Sequence, residues 1–170
     1  MIEARVELAA SDPVAAEAVA RESYETLASF GEHAFRSSVG CYLAEALCQQ
    51  GLDTEAERIA IEAAAMTSVD DFITHARSLT TRAIVLARRA DVEAAHRLAQ
   101  EAVSLTAESD SFAEHGDTLT ALADVLELAG RREDATDLLH EALDRYERKK
   151  ARAQVHRIRE RLAAIQPTQA

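Results

Sequence analysis

One small residue recurs every 39 or 40 residues along this chain of 170, and the residues around it recur with it. The repeated position is held by Ser11, Gly51, Ala90 and Gly130. Five positions later each copy has an alanine, and eleven positions later a glutamate: Ala16, Ala56, Ala95 and Ala135, then Glu22, Glu62, Glu101 and Glu141. Because periods of this length mark arrays of stacked supersecondary units, the repeat constrains the fold more than any single motif does.

Each copy is predicted to be two helices joined by a short turn. Alanines seven residues apart after the turn fall on one stripe of the second helix, where small side chains let a partner helix approach closely. Gly51 and Gly130 can take the left-handed conformation that ends a helix, and Asp12 before Pro13 is a favourable helix start. One such hairpin cannot bury its apolar stripe alone, so the copies are expected to stack.

The composition favours a single all-α domain. Hydrophobic residues make up 48% of the chain and aromatic residues only 4%, while the abundant Ala, Leu, Glu and Arg are strong helix formers. We therefore predict one domain over residues 1–165, followed by a disordered tail over 166–170. Within it we expect a partial unit, three full hairpins and an amphipathic capping helix, over residues 1–29, 31–69, 71–109, 112–149 and 150–165.

The best-defined copy resembles the tetratricopeptide repeat (TPR). The resemblance rests on a small residue, a leucine, a glycine, an acidic residue and two alanines at fixed spacing: Ala123, Leu126, Gly130, Asp134, Ala135 and Ala142. The copies are longer than the usual repeat of about 34 residues. Gly40, Leu79 and Leu119 also replace an aromatic near the start of the first helix. The resemblance implies antiparallel helical hairpins stacked in a right-handed TPR-like α-solenoid, with a role in protein–protein interaction.

Longer stretches resemble a particular setting for such repeats. YLAEALCQQGLDTEAE and ALADVLELAGRREDATDLLHEALDRYERK are similar to the C-terminal repeat tails of large bacterial, especially actinobacterial, proteins. In those proteins a class III adenylate cyclase domain and an ATPase module precede the repeats, and similar tails occur in large ATP-binding transcriptional regulators. The chain contains no cyclase or ATPase motif, so no catalytic residue is carried over. The chain is expected to begin inside a helix, which favours a piece of a longer protein over a small repeat protein that starts at Met1.

The resemblance also implies a binding groove. In tetratricopeptide arrays the first helix of each hairpin lines the concave face, and such a face holds an extended peptide or a helix through charge and a few apolar contacts. An ordinary solvated face is the alternative for the same residues. The positions carried over are Ser38, Cys41, Glu45, Cys48 and Gln49, then Arg77, Thr80, Ile84, Ala87 and Arg88, then Asp117, Thr120, Asp124, Glu127 and Leu128.

Charge separates the C-terminal end from the rest of the chain. The net charge is −11, yet the segment from Arg145 to Arg161 carries eight bases and two acids, which leaves −17 on the remainder. An acidic body argues against duplex DNA and membrane surfaces, and an RNA site would be expected to offer more stacking aromatics than Tyr146. We expect the basic helix either to keep the cap soluble or to dock onto an acidic partner or a neighbouring copy.

No residue set suggests catalysis or a metal. HEALD at His140 has Asp144 where a zinc-protease helix needs its second histidine, and Glu141 is explained by the repeat. The repeat-related histidines His33, His75 and His115 would lie too far apart to share one ion. Cys41 and Cys48 lie about 10 Å apart on one helix face, too far for a disulfide, with no adjacent basic residue to activate them. We predict no catalytic residue, no cofactor and no metal.

These patterns predict a non-catalytic cytosolic interaction or regulatory domain, with no membrane span. The alternative is an effector-binding domain whose concave face accepts a peptide or small molecule. The partial first unit leaves an apolar helix face uncovered, so homodimerisation is expected through that face. The residues expected to carry it are Ile2, Val6 and Leu8, or Val19 and Leu27 on the adjacent helix.

Overall fold

The protein is described here by a computed structural model that covers residues 2–165. These residues form helices without any strand. The predicted disordered tail, 166–170, lies outside the described residues. The helices, in chain order, are α1 (Ile2–Ala9), α2 (Pro13–Ser29), α3 (Ala34–Gln49), α4 (Asp53–Met66), α5 (Phe72–Arg88), α6 (Val92–Ala107), α7 (Phe112–Leu128), α8 (Arg132–Lys149) and α9 (Arg152–Ile165).

The repeated small residue forms the turn inside each hairpin. Ser11, Gly51, Ala90 and Gly130 all have left-handed φ angles, between 62° and 78°. In each turn the backbone amide of the residue that follows the left-handed position donates a hydrogen bond to a carbonyl in the last turn of the preceding helix. Leu52 N, for example, donates to Leu47 O at 2.9 Å. This bond satisfies a terminal carbonyl that the helix itself leaves unpaired. The left-handed turn expected at the two glycines is confirmed, and it also holds where the residue is Ser or Ala.

Aspartate side chains begin several of the helices. Asp12 Oδ1 accepts a hydrogen bond from Ala15 N at 3.0 Å, which confirms the helix start predicted at Asp12 and Pro13. Asp71 caps α5 and Asp91 caps α6 in the same way. Because Asp12 and Asp91 directly follow a left-handed residue, two adjacent positions end one helix and begin the next.

Alanines make close packing of the helices possible. The alanines of the predicted stripe are fully buried in each full hairpin, at Ala56 and Ala63, Ala95 and Ala102, and Ala135 and Ala142. Small side chains at these positions let helix backbones approach without voids. The larger buried side chains, such as Leu43, Leu47, Leu139 and Tyr146, fill the space between hairpins.

Successive hairpins stack side by side. Each hairpin packs its two helices antiparallel, and α3, α5 and α7 also contact one another in order. These three first helices therefore line one common face, and the second helices lie behind them. The predicted all-α, TPR-like stack of antiparallel hairpins is confirmed.

The two ends of the stack are covered by different helices. At the C-terminal end, Ile158 and Leu162 anchor α9 in the core against α8. At the N-terminal end, the short helix α1 packs on α2 and buries Leu8 to 5% exposure. Leu8 was expected at a self-association surface, and that assignment is wrong because the side chain belongs to the core. Val19 and Leu27 pack against the same core, whereas Ile2 and Val6 are 71% and 56% exposed.

The left-handed turns predict opposite changes in the free energy of unfolding for two substitutions. Left-handed backbone costs an alanine about 1 kcal/mol more than a glycine. Ala90→Gly is therefore expected to raise the free energy of unfolding, and Gly130→Ala to lower it by about 1 kcal/mol. Urea unfolding measures both changes.

Ala129→Gly provides the control, because Ala129 has an ordinary φ of −82°. There the added backbone freedom of glycine is expected only to destabilise, by about 0.5–1 kcal/mol. A loss of stability in Ala90→Gly equal to that in Ala129→Gly would contradict the assigned turn.

Candidate partner-binding groove

The face formed by α3, α5 and α7 contains a groove of about 740 Å³ that extends to α8 and α9. Most of the predicted partner-binding residues line it: Glu45, Cys48, Gln49, Arg77, Thr80, Ile84, Arg88, Asp117, Thr120, Asp124, Glu127 and Leu128. Ser38, Cys41 and Ala87, which the TPR resemblance also placed there, lie outside its lining. A second hollow of about 370 Å³, here called the side cleft, adjoins the groove and shares Glu45, Arg77, Glu114, Asp117 and Arg157 with it.

The two cysteines are almost fully buried, although Cys48 lies in the groove lining. Cys41 is 1% exposed, and its Sγ lies 3.5 Å from Thr74 O. Cys48 lies beside Arg88, with 3.7 Å between Sγ and Nη1, so the expectation that no basic residue adjoins the cysteines is wrong. Burial nevertheless outweighs the arginine charges, raising the pKa of Cys41 to about 12 and that of Cys48 to about 11. Both thiols are therefore protonated near neutral pH and poorly nucleophilic.

Arg77 of α5 is the central charged residue of the groove floor. Its guanidinium contacts Glu45 of α3 at 2.9 Å, and Glu114 and Asp117 of α7 at 2.8 and 3.3 Å. The guanidinium also lies over the ring of Tyr42, 4.7 Å from its centroid. The side chain is only 12% exposed. Burial lowers the pKa of Arg77, but Glu45, Asp117 and Glu114 outweigh that effect and raise it. One cation thus joins the first helices of three successive hairpins.

Asp117 connects this cluster to the outer helix α8. Tyr146 Oη donates a hydrogen bond of 2.7 Å to Asp117 Oδ1. The Tyr146 ring packs directly against Gly116, where an added Cβ would lie 2.7 Å from the ring. Glycine at position 116 therefore lets the tyrosine pass α7 and place its hydroxyl on the groove floor.

The environment of Asp117 opposes its ionisation. Desolvation in the floor is the main cause, Arg77 opposes it, and the nearby carboxylates of Glu114 and Glu45 reinforce it. Together these effects raise the pKa of Asp117 to about 6, despite the hydrogen bond from Tyr146. The side chain of Asp117 is 35% exposed. Its carboxyl nevertheless has the electrostatic environment of a buried group, because it lies in a narrow hollow between three charged neighbours.

The C-terminal end of the groove is held by an arginine from α9. Arg161 contacts Asp124 at 2.5 Å and Glu127 at 2.9 Å, both on α7. Arg88 of α5 is held by Asp53 at 2.5 Å and by Cys48 O at 2.7 Å. The acids that the sequence suggested for partner contact at this end are therefore already paired within the chain.

Between the charged groups the floor is apolar and hydroxylated. Ile73, Ile84, Ala121 and Leu128 provide the apolar part, and the buried threonines Thr81, Thr106 and Thr118 form a recess. The Thr106 hydroxyl lies 3.0 Å from His115 Nδ1 and 2.9 Å from Thr118 Oγ1. Burial lowers the pKa of His115, with a smaller contribution from Arg145. The hydroxyls of Thr106 and Thr118 are thus satisfied internally and shape the recess.

Sequence reasoning missed the contributions of α9 and of the deeper layer. Arg157 and Arg161 line the groove, although α9 was expected to cap the last hairpin and was not assigned to the groove. Glu114 and Thr118 lie on α7 next to positions that were predicted, and Arg77 and Asp117 occupy equivalent places 40 residues apart. The opposite charges of Arg77 and Asp117 at equivalent positions of adjacent copies were the sequence signal that could have indicated their ion pair.

Among the described residues the side chains considered for chemistry form no metal site, although His115 Nε2 lies 3.8 Å from Glu141 Oε1. His140 is exposed, and Glu141 pairs with Arg145 at 3.2 Å. His75 lies on α5, and its Nε2 is 3.1 Å from Ser68 O in the preceding loop. Among residues 2–165, no three His, Cys, Asp or Glu side chains are placed to hold a metal ion. Over the same range no helix is long and apolar enough to span a membrane.

Comparisons with known proteins agree with this architecture. Residues 116–149 match the sequence model of the tetratricopeptide repeat. Similar solved structures include the nearly identical TPR-like repeats of a Podosopora anserina protein provisionally named a kinesin light chain, with a TM-score of 0.58 and 18% identity over 95% of this chain and 90% of that one. A single-residue variant of it gives the same TM-score and identity over 96% and 91%. No curated protein sequence matches the chain. The fold is therefore that of a TPR-like repeat solenoid, in which residues 116–149 are similar in sequence to the tetratricopeptide repeat.

The raised pKa of Asp117 generates a pH prediction. The folded-state pKa of about 6 exceeds the ordinary value of 3.8, so the folded protein binds this proton more tightly than the unfolded chain. Asp117 is therefore expected to contribute increasing stability as the pH falls from about 7 towards 4. Asp117→Asn, which resembles the protonated side chain, removes that increment.

The measurement is the difference in unfolding free energy between the original protein and Asp117→Asn, from urea titrations at several pH values. Subtraction cancels groups common to both proteins, including His115, whose lowered pKa acts in the opposite direction. The difference is expected to shift in favour of the original protein on acidification. A difference independent of pH between 7.5 and about 4.5 would rule out the raised pKa.

Proposed function

We propose that this protein is a non-catalytic interaction domain that holds a peptide or helix of a partner protein in the groove of α3, α5 and α7. The observation that supports this most is the groove itself, in which twelve of the residues proposed from the TPR resemblance line one continuous hollow. TPR folds generally mediate protein–protein contacts. If these residues formed only an ordinary solvated face, apolar and charged side chains would not be expected to concentrate in one hollow.

The chemistry of the groove suits a segment of polypeptide. Its apolar floor at Ile84, Ala121 and Leu128 would take a side chain, and the flanking threonine hydroxyls and charges would orient the backbone. The ion pairs of Arg77 and Arg161 hold the walls in place before binding. A groove that is already ordered loses less conformational entropy when a ligand binds.

We further propose that the domain, over residues 1–165, works as the regulatory tail of a larger cytosolic signalling protein. The stretches that resemble bacterial cyclase–ATPase and transcriptional-regulator tails support this setting. Two cysteines that remain unpaired and buried are in keeping with a reducing compartment.

A second candidate function is effector binding in the same groove. The volume of about 740 Å³ lies within the range of roughly 300–1,000 Å³ that is common for small-molecule sites. An effector that binds only the folded protein must raise its thermal midpoint. No shift across a broad panel of small ligands would contradict effector binding and leave the groove to protein partners.

We also propose self-association through α1. Ile2 and Val6 are exposed on this helix, and Val14 at the start of α2 is exposed as well. Val6→Glu would introduce charge into that surface and is expected to reduce dimerisation, whereas Val69→Glu, in the exposed loop before α5, is expected to have no effect. Light scattering that gives a monomer at high protein concentration would contradict this proposal.

The groove assignment is tested with peptides selected from a random library against the protein. Leu128 is 53% exposed and lines the groove, whereas Leu105 is 39% exposed on α6 and lies outside it. Leu128→Glu is expected to weaken binding of the selected peptides by about tenfold or more, because an apolar contact is replaced by a charge. Leu105→Glu is the matched control and should leave the dissociation constant unchanged.

Fluorescence anisotropy with labelled peptides measures both variants. Equal peptide affinity for Leu128→Glu and the original protein would place binding elsewhere and contradict the groove assignment. Failure of every library to yield a binder would contradict peptide binding altogether.

A further inference from the structure

The acids that line the groove and the side cleft are engaged within the chain. Each of them contacts Arg77 or Arg161: Glu45, Glu114, Asp117, Asp124 and Glu127. A basic ligand would have to compete with an internal arginine for every one of these carboxylates. The acidic pattern of α7 therefore does not define a free acidic surface.

The unengaged charges on the same two surfaces are positive. Among residues 2–165, four lining cations have no carboxylate within 4.0 Å: Arg5, Arg132, Lys149 and Arg157. In total the two surfaces carry seven cations and five acids, in a chain whose net charge is −11. The concave side is thus locally positive on an otherwise acidic molecule.

These free cations come from the ends of the chain rather than from the helices that form the groove floor. Arg5 lies on α1, Arg132 and Lys149 lie at the two ends of α8, and Arg157 lies on α9. The side cleft is lined by Arg5 and Val6 of α1, by Lys149 of α8, and by Gln154 and Arg157 of α9. The N-terminal and C-terminal helices therefore face a common hollow.

We infer that this concave surface binds an acidic peptide segment. Its carboxylates pair with Arg5, Lys149 and Arg157 in the side cleft, and an adjoining apolar side chain lies on Ile84 and Leu128 in the groove. The inference rests on the proposed function and adds the charge of the partner. It also assigns charge selection to the terminal helices α1, α8 and α9, while α3, α5 and α7 supply the floor.

The same cations do not form a convincing nucleic-acid site. Tyr42 lines the side cleft, but Arg77 covers its ring, and Tyr146 is fully buried. No tyrosine face on this surface is therefore free to stack on a base. The residues outside Arg145–Arg161 carry −17, which repels a phosphate backbone that extends beyond the cleft.

The test uses a short fluorescein-labelled peptide that combines glutamates with leucines, together with its glutamine and lysine counterparts. The site variant is the triple substitution Arg5→Gln, Lys149→Gln and Arg157→Gln. The control is Arg97→Gln, Lys150→Gln and Arg152→Gln, which removes the same charge from exposed cations that line neither surface. All six side chains are exposed and form no ion pair among residues 2–165, so both variants are expected to unfold at the thermal midpoint of the original protein.

The glutamate peptide is expected to bind most tightly, and added salt should weaken it. In the site variant the dissociation constant of the glutamate peptide is expected to rise about tenfold, because three partly exposed ion pairs between peptide and protein are lost. The control variant should not. Equal weakening by both variants, or tighter binding of the lysine peptide, would overturn the inference. So would tighter binding of a single-stranded oligonucleotide through the same three residues.

The outcome also separates this inference from the proposed function. If library-selected peptides lose affinity in Leu128→Glu but not in the site variant, the groove binds peptides and the inferred acidity is wrong. If no peptide of any charge binds the groove, the proposed function itself fails.

Discussion

The ion-pair cluster of Arg77 is the interaction on which the groove depends. A stack of hairpins is held together mainly by nearest-neighbour contacts, so its curvature is free to vary unless something connects the concave helices directly. Arg77 makes that connection, because it contacts α3 through Glu45 and α7 through Glu114 and Asp117. Asp117 then extends the cluster to α8 through Tyr146. A single, largely buried cation thereby fixes the spacing of three hairpins and the shape of the hollow between them.

Much of the fold could be predicted from the sequence because it follows local rules that are repeated. A left-handed residue at Gly51 or Gly130 ends one helix, an aspartate such as Asp91 begins the next, and buried alanines set the helix spacing. Each rule involves residues within about two helical turns of one another, where sequence patterns are informative. The α1 helix was harder to interpret, since burial of Leu8 depends on how α1 folds back onto α2 and not on its own pattern.

The groove floor was placed largely through the TPR resemblance, but its charge could not be predicted. Read along α7, Asp117, Asp124 and Glu127 suggest an acidic surface that would attract a basic partner. In three dimensions Arg77 and Arg161 engage these acids from other helices. These contacts join residues up to 40 positions apart in the sequence. They depend on how the hairpins stack, and a local sequence pattern does not specify that stacking. The charge available to a partner is therefore a property of the folded array, and it has the opposite sign from that of α7.

The most direct test of this account compares Arg77→Met with Arg89→Met in urea unfolding at neutral pH. Arg89 also makes one close ion pair, with Glu57 at 2.6 Å, but its side chain is 44% exposed. Removing Arg77 leaves three neighbouring carboxylates without their counter-charge. Because Glu45 and Asp117 are 36% and 35% exposed, solvent screens part of the cost, and a loss of about 2–3 kcal/mol in unfolding free energy is expected. Removing Arg89 is expected to cost less than about 1 kcal/mol. Equal, small losses in the two variants would contradict the central role of Arg77.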